Sequence, residues 1–230
     1  MKSLNKRSVS IRNKRIYLAY FALILLFTGL SSATVIAQDH YSNKSGAAAY
    51  TTDIQGINTN LTEVPVKGTA TFITSDDQLY ITIIASGLSP SMMHLQHIHG
   101  FVDTNDEATC PAPGADTNGD GIIDLIETHE STGVTLIPFN AAPVDLQIKT
   151  DSYPVANGEG VLTYRMKVLL DDLNEAIQEE YNIENLSLEN RVIYLHGVPE
   201  NTDLPESVES LPGVPAQVTV PVACGEIEAL

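Results

Sequence analysis

From residue 47 to residue 224 the chain is cut into short stretches of alternating apolar and polar residues, each closed by glycine, proline, asparagine or aspartate. That pattern leaves little room for anything but a β fold. Ala70 and Phe72 alternate with Thr69 and Thr71, Ser75 to Gln78 turns the chain, and Leu79, Ile81 and Ile83 alternate with Tyr80, Thr82 and Ile84. The expected hairpin is 68–73 with 79–85. Further strands are predicted at 47–54, 94–101, 133–139, 144–150, 160–168, 191–196 and 216–224. Evenly spaced short strands of this kind predict an all-β sandwich or Greek-key barrel. One segment departs from period two: Leu170, Leu173, Ile177 and Tyr181 recur at helical spacing inside the acidic run 171–180, which predicts one amphipathic helix on a connection.

The ends of the chain differ sharply in charge. Six of the 12 Lys and Arg lie in the first fifteen residues, followed by an apolar run from Ile16 to Leu30 and the small-residue pattern Val35-Ile36-Ala37. This reads as an export signal over 1–37, with a mature chain starting at Gln38, a flexible leader over 38–46 and one domain over 47–230. The run is short for a membrane span, so no stable membrane insertion is expected after cleavage. Beyond the signal, 29 acids face the remaining six bases, a formal charge of −23. Such a surface repels nucleic acid and favours cations. The expected location is periplasmic or extracellular, and the expected partners are metal ions.

Asp116-Thr-Asn118-Gly-Asp120-Gly121-Ile122-Ile-Asp124-Leu-Ile-Glu127 fills every position of a twelve-residue calcium loop of the EF-hand type. Asp116, Asn118 and Asp120 offer side-chain oxygens, Ile122 its carbonyl, Asp124 an oxygen through water, and Glu127 a bidentate carboxylate. Gly121 occupies the sixth position, where the backbone needs a positive φ. Cys110-Pro-Ala-Pro-Gly114 precedes the loop and cannot be helical, and no second loop pairs with it. The segment is therefore expected to be a lone Ca²⁺ clip that holds a connection in shape.

Only two cysteines occur, Cys110 and Cys224, and in an exported protein such a pair is expected to form one disulfide. Of six histidines, His97 and His99 stand two apart in a predicted strand and share a face, while His196 ends another strand. Three imidazoles converging across a sheet suit copper or zinc. His94 falls on the opposite face from His97, and neither His129 nor His40 gains a role from its position.

His97-Ile98-His99-Gly100, Cys110, the strand Arg191 to Gly197 and the terminal Val222-Ala-Cys224-Gly-Glu-Ile227 resemble the copper/zinc superoxide dismutase pattern. Upstream, Leu61 to Gly68, Leu79-Tyr80 and Ser86-Gly-Leu88 resemble the related chordin-type (CHRD) domain of bacterial exported proteins. The resemblance implies a Greek-key β-sandwich, a Cys110–Cys224 bridge tying a loop to the last strand, and copper held by His97, His99 and His196. Two features depart from it. Residues 111–127 hold no histidine, so the zinc site of the dismutases is expected to be missing, and Pro221 stands where their superoxide-guiding arginine would lie. The expected function is thus a non-enzymatic exported calcium-binding domain with a three-histidine copper site. A copper-only dismutase is the alternative.

Overall fold

The computed structural model describes residues 46–102 and 106–230. The export signal, His40 and all of the leader but Gly46 lie outside the described residues. The domain is built from β1 (Ala48–Gly56), β2 (Lys67–Ser75), β3 (Gln78–Ser86), β4 (Gln96–Gly100), β5 (Val134–Pro138), β6 (Leu162–Leu169), β7 (Val192–His196), β8 (Pro221–Glu226) and β9 (Glu228–Ala229). All pairings are antiparallel, in one curled sheet of order β5-β4-β7-β8-β1-β2-β3-β6, with β9 paired to β1. The all-β expectation holds. Among the described residues, no helix is long and apolar enough to cross a membrane.

Period-two alternation explains how the sheet makes its core. Ile54, Ala70, Phe72, Ile81, Ile83, Ile193 and Leu195 are fully or almost fully buried and belong to one cluster, while Tyr80 and Ile84 point outward and are exposed. The β2–β3 hairpin turns at Asp76 and Asp77, both with positive φ, which gives the mirror-image turn whose twist suits a two-residue connection. The predicted helix is α2 (Leu170–Tyr181), which buries Leu173 and Ile177 against the core and ends at Asn182 in the left-handed region.

Three local readings need correction. Residues 144–150 alternate like a strand, yet Pro143 opens a single 3-10 turn, Leu146 adopts φ 53°, and the Asn140 side chain donates to the Gln147 carbonyl while accepting from the Ala142 amide. The side chain of Asn140 replaces a ladder partner, and the segment is a loop. Residues 216–224 are not one strand either: Ala216–Thr219 makes a single helical turn after Pro215, and pairing starts only at Pro221. The third is an unforeseen helix, α1 (Leu125–Thr132), which leaves the end of the proposed calcium loop. Asp124 is its N-cap and Glu127 completes a capping box, a D-x-x-E signal legible in the sequence.

Cys110 and Cys224 are bonded, with Cα atoms 5.8 Å apart, and tie the connection after β4 to β8. Arg191 secures the same end of the sheet. Its guanidinium donates to the Phe101 carbonyl and its Nε to that of Leu186, filling space that a Cβ on Gly100 would occupy.

Candidate metal centre

The neighbouring strands β4 and β7 are buried on both faces. Ile98, Ile193 and Leu195 face the main core, so His97, His99, Val192, Tyr194 and His196 face the other way, beneath the helix 125–132 and two long loops. The pairing register slips between Ile98 and His99 against β5, and again between Leu195 and His196 against β8. Irregularities of this kind re-aim side chains. Here they fall at the residues whose rings must converge.

Converge they do. One ring nitrogen from each of His97, His99 and His196 lies within 4.8 Å of the other two, and all three residues are buried. Ring centroids are 5.1 Å apart for His97 and His196, 5.8 Å for His97 and His99, and 6.1 Å for His99 and His196. The surroundings decide which nitrogens remain free. His196 Nδ1 donates to the Thr219 carbonyl at 2.7 Å, which leaves Nε2 with a lone pair and no partner. His99 Nε2 lies 3.1 Å from the Thr135 hydroxyl, which leaves Nδ1 without a partner. Neither nitrogen of His97 has one. Buried polar atoms seldom go unpaired, so three buried rings that each carry an orphaned nitrogen, with one nitrogen per ring brought together, form a donor set that could hold a cation. The Thr219 and Thr135 contacts fix ring orientation from behind, as outer partners of metal-bound imidazoles do. Tyr153 stands edge-on to His97 at 5.4 Å, and Tyr194 packs against His99 and His196 at 5.0 and 5.6 Å.

Burial governs the protonation of the triad. It pushes His97 well below the ordinary histidine value of 6.5, with the neighbouring His196 and His99 rings adding to the effect. Burial and then the His196 ring push His99 down to about 3, against a weak pull from the Gly133 carbonyl. Burial brings His196 to about 4, opposed by the Thr219 carbonyl. All three imidazoles are therefore neutral at pH 7, as metal ligands must be. In the metal-free protein the unfolded chain gains protons as pH drops below 6.5 and the folded chain does not. Stability is fully present above pH 6.5 and is lost progressively as pH falls toward about 3. Melting temperatures of metal-free protein should fall across that window, and less steeply for His97→Gln. A flat profile from pH 7 to 4.5 would show that these rings are not held neutral.

The other histidines divide differently from the sequence reading. His94 is fully buried and structural: its ring nitrogens contact the carbonyls of His196 and Ser89 at 3.0 and 3.1 Å. His129 reaches the groove beside the triad, with Nδ1 3.1 Å from the Gly133 carbonyl.

The twelve-residue loop takes a closed shape. Gly119 and Gly121 have φ of 76° and 86°, and the Asp116 carboxylate accepts from the amides of Gly119, Asp120 and Gly121. Glu127 Oε1 accepts from Thr117 and Asn118, and Oε2 from the Asp124 amide. Asn118 and Asp120 each cap an amide two residues on, and Ile122 is buried in the core. Asp124 also accepts from the Glu209 amide, the Ser207 hydroxyl donates to Asp120, and Asn58 bonds both the amide and the carbonyl of Ile123, so the loop is fixed to the domain on two sides. The required turn at Gly121 is therefore present, while the carboxylates are engaged with amides. Among the described residues, only the three histidines form a tight group of the metal-holding kind.

No protein-family model and no curated protein matches the chain.

Proposed function

We propose that the chain is an exported metal-binding domain in which His97, His99 and His196 hold a copper ion and the loop Asp116–Glu127 holds Ca²⁺. The observation that carries the reading is the buried convergence of three neutral imidazoles with unpartnered nitrogens. Bound copper would supply a redox-active cation. The chain's own contribution is to orient the rings through Thr219 and Thr135 and to shield them beneath the helix 125–132. The disulfide accords with export into an oxidising compartment. Kinship with the dismutase and CHRD sandwiches, and a Greek-key path, belong to the same proposal; the grouping of β4, β5, β7 and β8 on one side of the sheet and of β1, β2, β3 and β6 on the other supports it.

Two functions compete for such a centre, a non-enzymatic binding role and a copper-only dismutase. The groove beside the triad would admit a small oxidant, which favours the second. Its lining contains no Lys or Arg, however, and a chain of formal charge −17 repels an anion, which favours the first. Elemental analysis of copper-loaded protein, with calcium counted at dialysis equilibrium against 10 mM Ca²⁺ and the buffer on the far side of the membrane subtracted, tests the whole proposal. One copper and one calcium per chain are expected, with negligible superoxide turnover, and rapid turnover would move the protein to the enzymatic class.

The calcium half has its own prediction. With a dissociation constant of about 10⁻⁴ to 10⁻³ M, 10 mM Ca²⁺ should stabilise the fold by about 1.4–2.7 kcal/mol. A calcium-dependent rise in melting temperature is expected, lost in Glu127→Gln, where an amide nitrogen that cannot ligate replaces one of the two closing oxygens and the negative charge is gone. An equal response to Ca²⁺ in both proteins would remove the loop from consideration.

A further inference from the structure

A groove of about 480 Å³ opens over the histidine triad, and its walls are aliphatic: Leu95, Leu125, Ile126, Val134, Ile148 and Leu211. They come from separate parts of the chain, namely the approach to β4, the helix 125–132, β5, the loop after Asn140 and the loop before α3 (Ala216–Thr219). Three of them are left in water around the mouth, with Ile126 50%, Ile148 41% and Leu211 44% exposed. The polar side chains of the lining are those of the triad, His129 and three threonines. In a chain with 29 acids, not one Asp, Glu, Lys or Arg lines this groove. The volume falls within the roughly 300–1,000 Å³ of small-molecule sites, which share this make-up of apolar walls and a few convergent polar groups.

We infer that the groove is a binding site for a neutral, mainly apolar small molecule with one polar end, seated between Ile126, Ile148 and Leu211 and directed at the triad. Neutrality follows from the uncharged lining, because a charged ligand would lose its hydration without gaining a counter-ion. The size follows from the volume, and the single polar end from the gathering of His97, His99 and His196 into one tight group within the lining. The inference does not depend on a bound metal. With copper in place, the polar end faces the metal rather than the bare rings.

The test uses the purified metal-free protein and N-phenyl-1-naphthylamine, an uncharged probe that fluoresces when taken out of water. Saturable binding of one probe per chain is expected, weakened about tenfold or more in Ile126→Asp and in Leu211→Asp, since each sets a carboxylate at the mouth. Both side chains are substantially exposed, and an aspartate in the first turn of a helix is favourable, so the fold should tolerate them. Ile148→Asp replaces either variant that fails to fold. Absence of saturable binding, or binding that none of these variants weakens, overturns the inference. So does sedimentation showing that the groove is closed by a second copy of the chain. Copper uptake by the same variants should be unchanged. Copper uptake without probe binding removes the ligand site alone, and probe binding without copper uptake removes the metal reading alone.

Discussion

Replacing His196 with alanine is expected to weaken copper binding by more than about a hundredfold. Altering only the outer partners of metal-bound side chains costs about 10–100-fold, and in the proposed centre His196 is one of three direct donors. The loss should come without unfolding. His196 sits at the end of β7, and in the metal-free protein the removal of its unsatisfied Nε2 offsets part of what is lost with the single Nδ1 bond to the Thr219 carbonyl. Metal-free His196→Ala should therefore stay folded, with a smaller loss of stability than His94→Ala, while binding copper far more weakly. The matching change at His94, whose ring is tied to two carbonyls, should do the reverse, lowering stability with copper bound by whatever protein remains folded. Competitive titration against a chelator, alongside thermal melts, separates the two patterns.

Opening the disulfide should have the second large effect. Cys110 and Cys224 are 114 residues apart, and a cross-link of that span restricts the unfolded chain by about 4.7 kcal/mol in the chain-entropy account. Strain and residual structure usually reduce this, so a loss of about 2–5 kcal/mol is expected for Cys110→Ser with Cys224→Ser. The bridge also helps to cover the outer side of β7, where Ala108, Val192, Tyr194 and Cys224 pack in a separate small cluster. Tyr194 touches two of the three imidazoles, so the double variant should bind copper less tightly as well as melt earlier. Chemical denaturation gives the stability change, and an unaltered midpoint would mean that the bridge contributes nothing to the folded state.

The part of the fold set by local pattern was readable from the sequence. In β2 and β3, alternation, a two-residue turn and a buried face all agree, and the structure pairs them residue for residue. Helical spacing located α2 for the same reason. Residues 144–150 show where pattern fails: their alternation is genuine, but the Asn140 side chain and Pro143 capture the backbone first, and Ile148 is released to the groove. The helix 125–132 was hidden by its own chemistry. Its capping residues Asp124 and Glu127 are also loop positions nine and twelve, and reading them as calcium ligands obscured their second role.

The candidate site divides along similar lines. Spacing placed His97 and His99 on one face, because strand geometry guarantees it. That His196 meets them depends on β7 lying beside β4, a pairing between residues almost a hundred positions apart that no local signal specifies. The roles of Thr135 and Thr219 were beyond reach for the same reason. Each acts through a contact set by tertiary structure, and Thr219 reaches His196 only because β8 starts late, at Pro221. The groove was equally invisible, since its aliphatic walls are drawn from five separate segments.

Electron paramagnetic resonance of the protein with one equivalent of Cu(II) tests the central claim most directly. Splitting from several imidazole nitrogens, lost or reduced in His196→Ala, is the predicted spectrum. A signal typical of oxygen ligands alone, unchanged by that substitution, would place the copper elsewhere and contradict a metal centre formed by His97, His99 and His196.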